Sequence, residues 1–220
     1  MKINNYIDHT ALKSTTTERD IIDLCNEAKR HQFYAVCVGS CYVALTKQLV
    51  AKSSVKVCSV VGFPLGNMSS EAKAFEASQA VSDGADEIDM VINISFLKSK
   101  NFVAVFKDIS AVKNAIGKIP LKVILEISEL SKNEIVKACE ICMDAKADFI
   151  KTSTGFSKSG ATLTAVKIIK KTVRNQARIK ASGGIKDYET VKKYIDAGAD
   201  RIGTSSGVAI LSGEMADSNY

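Results

Sequence analysis

The chain has 220 residues, of which 46% are hydrophobic and 25% charged, and its net charge is +6. This composition excludes a disordered chain, and the longest apolar runs, such as residues 57–61, are far shorter than the roughly 18 residues of a membrane helix. The first residues form no apolar export signal, so we predict a cytoplasmic protein whose six cysteines build no disulfide framework.

Eight short apolar segments predict eight β-strands, and amphipathic helical segments fill the gaps between them. The strand candidates are residues 6–8, 34–38, 57–61, 87–92, 121–126, 148–152, 178–181 and 201–203. The helical candidates include residues 18–30, 70–82, 103–116, 133–146 and 188–197. Strands that alternate with helices in this way indicate parallel pairing through helical crossovers.

A weak internal repeat supports this arrangement. Residues 83–88 (DGADEI) recur as 145–150 (AKADFI) and again as 197–202 (AGADRI), and each copy closes a helix and enters a strand. We therefore predict one domain, residues 1–220, folded as an α/β (β/α)8 TIM barrel. An open doubly wound sheet is the alternative, but no G-x-G-x-x-G follows the first strand.

Strand parity selects three charged residues for the barrel interior. Successive side chains of a strand point to opposite faces, and the face toward the helices must be apolar. Asp89 follows the apolar Ile88 and Lys180 follows the apolar Ile179, so each points to the face opposite its neighbour. Lys151 likewise follows an apolar residue. We expect all three to point inward near the carboxyl ends of their strands, where barrel active sites lie.

Two buried lysines and an aspartate suggest a specific chemistry. A lysine that loses its proton through burial and a nearby ammonium is a nucleophile and forms a Schiff base with a carbonyl substrate. A neighbouring carboxylate moves the protons. The competing interpretation is a purely structural network of buried ion pairs.

Three loops predict a phosphate site. Residues 152–156, 181–185 and 203–207 follow strands and are rich in glycine, serine and threonine. Barrels commonly bind phosphate with the loops after their last two strands. The alternative is that these are ordinary strand-to-helix turns with serine caps.

Two lysine motifs carry a resemblance to a known family, the deoxyribose-phosphate aldolases. They are KTSTGF at 151–156 and KASGGI at 180–185. Five further segments resemble the same family in the same order: 6–10 (YIDHT), 35–38 (AVCV), 62–66 (GFPLG), 84–91 (GADEIDMV) and 203–207 (GTSSG). The resemblance implies a class I aldolase that cleaves 2-deoxy-D-ribose 5-phosphate reversibly to D-glyceraldehyde 3-phosphate and acetaldehyde, with no metal or other cofactor.

The resemblance also implies roles for individual residues. Lys151 matches the Schiff-base lysine, Lys180 the neighbour that lowers its pKa, and Asp89 the proton-transfer carboxylate. Lys122 matches a further site lysine, in the proton relay. The residues that match substrate or phosphate contacts are Asp8, Thr10, Cys37, Thr154, Gly155, Gly183, Gly184, Lys186, Gly203, Ser205 and Ser206. Homodimers are common in the family, so the resemblance also allows a second copy as partner.

Other functions stay open at this point. They are another lysine-dependent phosphosugar aldolase, a phosphate-binding barrel without catalysis, and a nucleic-acid binder. The last is disfavoured, because the densest basic stretch has the helical spacing of a solvated face: Lys167, Lys170, Lys171 and Arg174. We therefore predict no nucleic-acid partner and no membrane partner.

Three features have no place in this scheme. Cys139 and Cys142 have CxxC spacing but lie in a helical pattern with no second pair, which indicates structural thiols. One further hypothesis places Tyr220 over the barrel mouth, in contact with the phosphate. The acidic segment at 126–129 (EISE) begins at the last residue of the fifth predicted strand and has no assigned role.

Overall fold

The structure is a computed structural model that describes residues 2–213. Its eight strands pair in chain order, all in parallel, and form a closed barrel. The barrel closes where the first strand pairs with the last, with Ile7 opposite Ile202. The predicted (β/α)8 barrel is thereby confirmed, and the alternative of an open sheet is wrong. Tyr220 lies outside the described residues.

The observed strands agree with the predicted ones except at their ends. They are β1 (Ile7–Ala11), β2 (Ala35–Val38), β3 (Lys56–Val61), β4 (Glu87–Val91), β5 (Leu121–Ile124), β6 (Phe149–Lys151), β7 (Arg178–Ser182) and β8 (Arg201–Thr204). β1 runs past its predicted end because Ala11 still pairs with Val38. β5 stops before its predicted end, since Glu126 adopts a left-handed backbone with φ 57°.

Nine helices surround the barrel in the described range. They are α1 (Glu18–His31), α2 (Val43–Val50), α3 (Ser70–Ser82), α4 (Ile94–Lys98), α5 (Phe102–Ile116), α6 (Lys132–Asp144), α7 (Leu163–Val173), α8 (Tyr188–Asp196) and α9 (Gly207–Ser212). α7 ends at Val173, so Arg174 lies beyond the basic helical face predicted for it. Among residues 2–213, no helix has the length and apolar character to span a membrane.

The internal repeat has a structural explanation. The turn residue that ends each helix has a positive φ: Gly84 (108°), Lys146 (61°) and Gly198 (107°). The aspartate of each copy accepts a hydrogen bond from a backbone N–H at the start of the preceding strand: Asp86 from Val57 (2.9 Å), Asp148 from Leu121 (2.9 Å) and Asp200 from Ile179 (2.8 Å). The repeat therefore joins β3 to β4, β5 to β6 and β7 to β8 at their amino ends.

The core has two different parts. Apolar side chains such as Ile88, Met90 and Ile179 form the main cluster between strands and helices. A smaller apolar cluster inside the barrel contains Cys37 and Cys58. The rest of the barrel interior carries charged groups, and these groups form the candidate site.

Candidate active site

Asp89 is the centre of a buried cluster of lysines. Its Oδ1 accepts a hydrogen bond from Lys122 Nζ at 2.8 Å. Its Oδ2 accepts from Lys151 Nζ at 2.7 Å and from Lys180 Nζ at 2.8 Å. Neighbouring strands β4, β5, β6 and β7 supply the four residues, so the inward orientation expected from strand parity places them in direct contact.

Three further charged residues lie beneath Asp89. Lys180 contacts Asp8 Oδ2 at 2.5 Å, and Lys122 contacts Glu87 Oε2 at 2.7 Å. Arg201 donates to both acids, with Nε 2.8 Å from Asp8 Oδ1 and a terminal nitrogen 3.2 Å from Glu87 Oε2. Together they complete a closed ring of alternating charge, which runs Asp89, Lys122, Glu87, Arg201, Asp8, Lys180 and back to Asp89. We call these six residues the charge ring.

The sequence interpretation missed two members of the charge ring, Glu87 and Arg201. Both begin a strand and have the inward parity: Glu87 lies two residues before Asp89, and Arg201 lies two residues before Gly203. The parity argument that selects Asp89 would therefore have found them if it had been extended to the amino ends of the strands.

Ion pairing keeps the ring charged despite its burial. Burial alone would raise the pKa of Asp89, but Lys122, Lys151 and Lys180 outweigh it and hold that pKa well below its usual range. Burial would lower the pKa of Lys180, but Asp8 and Asp89 hold it well above its usual value. Against its own burial, Asp8 has its pKa lowered to about 2 by Arg201 and Lys180.

The low pKa of Asp8 predicts acid sensitivity. The folded protein holds Asp8 ionised at a pH where the unfolded chain is protonated, so this stabilisation is present above about pH 4 and is lost as the pH falls toward 2. Its size is about 2 kcal/mol. In Asp8→Asn we expect the free energy of unfolding, measured by urea titration, to fall less steeply over this range than in the wild type. Parallel pH curves for the two proteins would contradict this assignment.

A pocket that opens to solvent lies above the charge ring, at the carboxyl ends of the strands. The predicted site residues that line it are Thr10, Lys151, Thr154, Gly155, Gly183, Gly184, Lys186, Gly203, Ser205 and Ser206. Of the four other lining residues, Ser182, Ile185 and Thr204 belong to the loops predicted to hold the phosphate, and only Leu12 was not predicted. Five predicted residues are buried and do not line the pocket: Asp8, Cys37, Asp89, Lys122 and Lys180.

Lys151 differs from the other two lysines around Asp89. Lys122 and Lys180 have no exposed surface and lie within the charge ring. Lys151 contacts Asp89 from outside the ring and also lines the pocket. Lys151 is therefore the lysine of this cluster whose amine can meet a ligand in the pocket.

Two thiols lie beside Asp89. Cys37 and Cys58 are paired residues of β2 and β3, and Cys58 Sγ lies 3.0 Å from Asp89 Oδ1. A hydrogen bond from Cys58 outweighs burial and lowers the pKa of Cys37 to about 7. The two sulfurs and an Asp89 oxygen lie within 4.8 Å of one another, a spacing that could fit a metal ion. A cation there would have to displace the ammonium groups that Asp89 already binds.

Comparison with known proteins supplies the family. Residues 3–213 match the model described as DeoC/LacD family aldolase. The chain is 54% identical over 213 residues to the deoxyribose-phosphate aldolase of Finegoldia magna, with 97% of this chain and all of the relative covered. It is 50% identical over 220 residues to deoxyribose-phosphate aldolase 1 of Mesoplasma florum, with both chains fully covered.

A solved structure agrees with these relatives. The tetrameric deoxyribose phosphate aldolase of Aeropyrum pernix superimposes with a TM-score of 0.87 and 32% identity, over 96% of this chain and 89% of that chain. The sequence relatives, the family model and the fold thus indicate the same family. The chain belongs to the DeoC/LacD family of aldolases.

Proposed function

We propose that the protein is a deoxyribose-phosphate aldolase, which cleaves 2-deoxy-D-ribose 5-phosphate reversibly to D-glyceraldehyde 3-phosphate and acetaldehyde. The names of its relatives support the reaction. The observation that carries the proposal is the position of Lys151 between the pocket and Asp89. The charge ring has three acidic and three basic members, so its charges balance without a contribution from Lys151.

In this mechanism Lys151 Nζ attacks the aldehyde carbon of the open-chain sugar and forms a carbinolamine. Loss of water then gives the protonated imine, which withdraws electrons from the bond between C2 and C3. The C3 hydroxyl loses its proton, that bond breaks, and glyceraldehyde 3-phosphate leaves. The remaining enamine takes up a proton at C2, and water hydrolyses the imine to release acetaldehyde and the free lysine.

Asp89 moves protons in these steps. Its Oδ2 contacts the Nζ atoms of both Lys151 and Lys180, and its Oδ1 contacts Lys122 Nζ. A proton that leaves Lys151 during carbinolamine formation therefore has a carboxylate within hydrogen-bond distance and two further ammonium groups beyond it. In this proposal Lys122 belongs to the relay, and Lys180 is the neighbouring ammonium that shares Asp89 Oδ2 with Lys151.

The other end of the pocket holds the phosphate. Gly183 and Gly184 form the turn after β7, and Ser205 and Ser206 follow β8. Glycines allow the backbone to approach an anion closely, and hydroxyl groups and amides bind phosphate oxygens. Lys186 lines the same wall and adds positive charge.

The reaction is tested by product analysis. The protein is incubated with 2-deoxyribose 5-phosphate, and both acetaldehyde and glyceraldehyde 3-phosphate are measured with coupled dehydrogenases. We expect the two products in equal amounts. If folded protein releases neither but cleaves a phosphorylated ketose, the alternative of a different phosphosugar aldolase is correct. If it cleaves no phosphosugar but binds phosphate, it is a non-catalytic binder.

The Gly183 turn gives a direct test of the phosphate site. Gly183 has φ 90°, and a Cβ there would lie 2.8 Å from Gly160 Cα. Gly183→Ala should displace the turn and weaken the binding of inorganic phosphate, measured by calorimetry, by about tenfold. The matched control is Gly117→Ala, because Gly117 has φ 59° but no atom within 4 Å of the added Cβ. Equal phosphate affinity in both variants would place the phosphate elsewhere.

Two predictions concern the protein's surroundings. We propose a cytoplasmic location, as expected of an enzyme of sugar-phosphate metabolism such as its relatives. We also propose self-association, because one solved relative is described as a tetramer. Light scattering of the purified protein distinguishes a monomer, the predicted homodimer and a tetramer.

A further inference from the structure

The acidic segment after β5, which had no role in the sequence interpretation, binds the loop that follows the candidate nucleophile. Glu126 is buried, and its Oε2 accepts hydrogen bonds from the backbone N–H of Thr154, at 3.2 Å, and from the Thr154 hydroxyl. The Thr154 hydroxyl oxygen in turn accepts from the N–H of Phe156 at 3.0 Å. The Glu126 carboxylate thus holds Thr154 directly and Phe156 through the Thr154 hydroxyl, both in the loop after Lys151.

Glu129 binds the same loop further along. Its Oε1 accepts from Ser157 Oγ at 2.6 Å, and its Oε2 accepts from Lys158 Nζ at 2.9 Å. The backbone between the two acids adds a third attachment, since the N–H of Ile127 donates to Thr152 O at 3.0 Å. We call Glu126 and Glu129 the acidic clamp.

The turn after β7 holds the other side of this loop. Ser182 Oγ donates to Ser153 O at 2.6 Å, and the N–H of Ala161 donates to Gly183 O at 3.1 Å. The loop therefore lies between the acidic clamp and the turn that contains Gly183. Its own residues Thr154 and Gly155 form part of the pocket wall.

The backbone is strained at Glu126, the residue whose side chain contacts Thr154. Glu126 has φ 57° and ψ 66°, a left-handed conformation that costs a non-glycine residue energy. Its Oε1 is buried and has no hydrogen-bond partner among residues 2–213. A strained backbone and an unpaired buried carboxylate oxygen both destabilise the folded protein. Such features indicate a role beyond filling space.

We propose that the acidic clamp consists of positioning residues that set the pocket wall at Thr154 and Gly155, and thereby determine the preference for a phosphorylated over an unphosphorylated sugar. Neither acid lines the pocket, so each acts through the loop that it holds. This inference rests on the proposed aldolase function. Displacing the wall should weaken contacts to the phosphate end of the substrate while Lys151, which β6 holds, keeps its place.

The test compares two substrates across four variants. Glu126→Ala should lower kcat/KM for 2-deoxyribose 5-phosphate about tenfold, mainly through KM, and for unphosphorylated 2-deoxyribose by no more than about threefold. Glu126→Gln keeps one oxygen acceptor and should recover part of the loss. Glu129→Ala, at a partly exposed site, should shift the preference in the same direction by less. Glu140→Ala is the control, since Glu140 pairs only with the exposed Lys137 in the described structure.

Each outcome decides the proposal. An equal loss on both substrates means a general structural role and overturns it, as does an unchanged preference in Glu126→Ala and Glu129→Ala. If the wild type fails to cleave the phosphorylated sugar, the proposed function is wrong. The affinity for inorganic phosphate, measured by calorimetry, then still tests the clamp, which predicts about tenfold weaker binding in Glu126→Ala.

Discussion

Lys151→Ala should abolish aldol cleavage while leaving the protein folded. In the proposed mechanism the reaction depends on a covalent imine that no other residue lining the pocket can form at the same place, so we expect kcat to fall by about 10⁴-fold or more. Stability should change little, because the charge ring contains equal numbers of acids and bases without Lys151. Coupled product assays and thermal unfolding measure the two effects.

The matched control for this variant is Lys167→Ala, an exposed lysine on α7. It removes one positive charge from the surface and should leave both rate and stability close to those of the wild type. Substantial cleavage by folded Lys151→Ala would rule out Lys151 as the nucleophile. A large loss of stability in that variant would show that its ammonium is a structural member of the cluster.

Asp89→Asn should lose both activity and stability. The amide lacks the negative charge that the Nζ atoms of Lys122, Lys151 and Lys180 contact in Asp89, and removing one partner of a buried ion pair costs about 4 kcal/mol. The loss of the carboxylate to which we assign the proton transfer should also lower kcat by about 10²- to 10⁴-fold. Urea unfolding at neutral pH and steady-state kinetics measure these quantities.

Asp23→Asn is the control for Asp89→Asn, because Asp23 forms an exposed pair with Arg19 on α1. Its stability should change by less than about 1 kcal/mol. If Asp89→Asn were as stable as this control, Lys122 and Lys180 could not carry the charges that their raised pKa values imply. If it kept full activity, another group would move the protons.

Much of this fold could be predicted from the sequence because the strand and helix periods are clear. Strand parity predicted that Asp89, Lys151 and Lys180 lie on the inner face, and the recurring Ala-Asp turn supported the alternation of helices and strands. The role of the repeated aspartates was not visible, because their partners are backbone N–H groups on a different strand. Only the register of the closed barrel brings those groups together.

The residue types of the candidate site could be predicted from the sequence, but not how deep in the barrel each residue lies. Motif resemblance treated Asp8 and Cys37 as substrate contacts, whereas the structure buries both below the pocket. Parity gives the face of a strand but not how far along the barrel axis a side chain lies. The partners of Glu126 and Glu129 lie 28 and 29 residues further along the chain, so no local pattern predicts them.

Borohydride trapping tests whether Lys151 forms the imine. The protein is mixed with acetaldehyde or 2-deoxyribose 5-phosphate, reduced, and analysed by intact mass and peptide mapping beside Lys151→Ala. If Lys151 forms the imine, we expect one stable adduct on the peptide that contains Lys151, and none on the variant. An active protein that forms no adduct, or an adduct on Lys180 in place of Lys151, would contradict it.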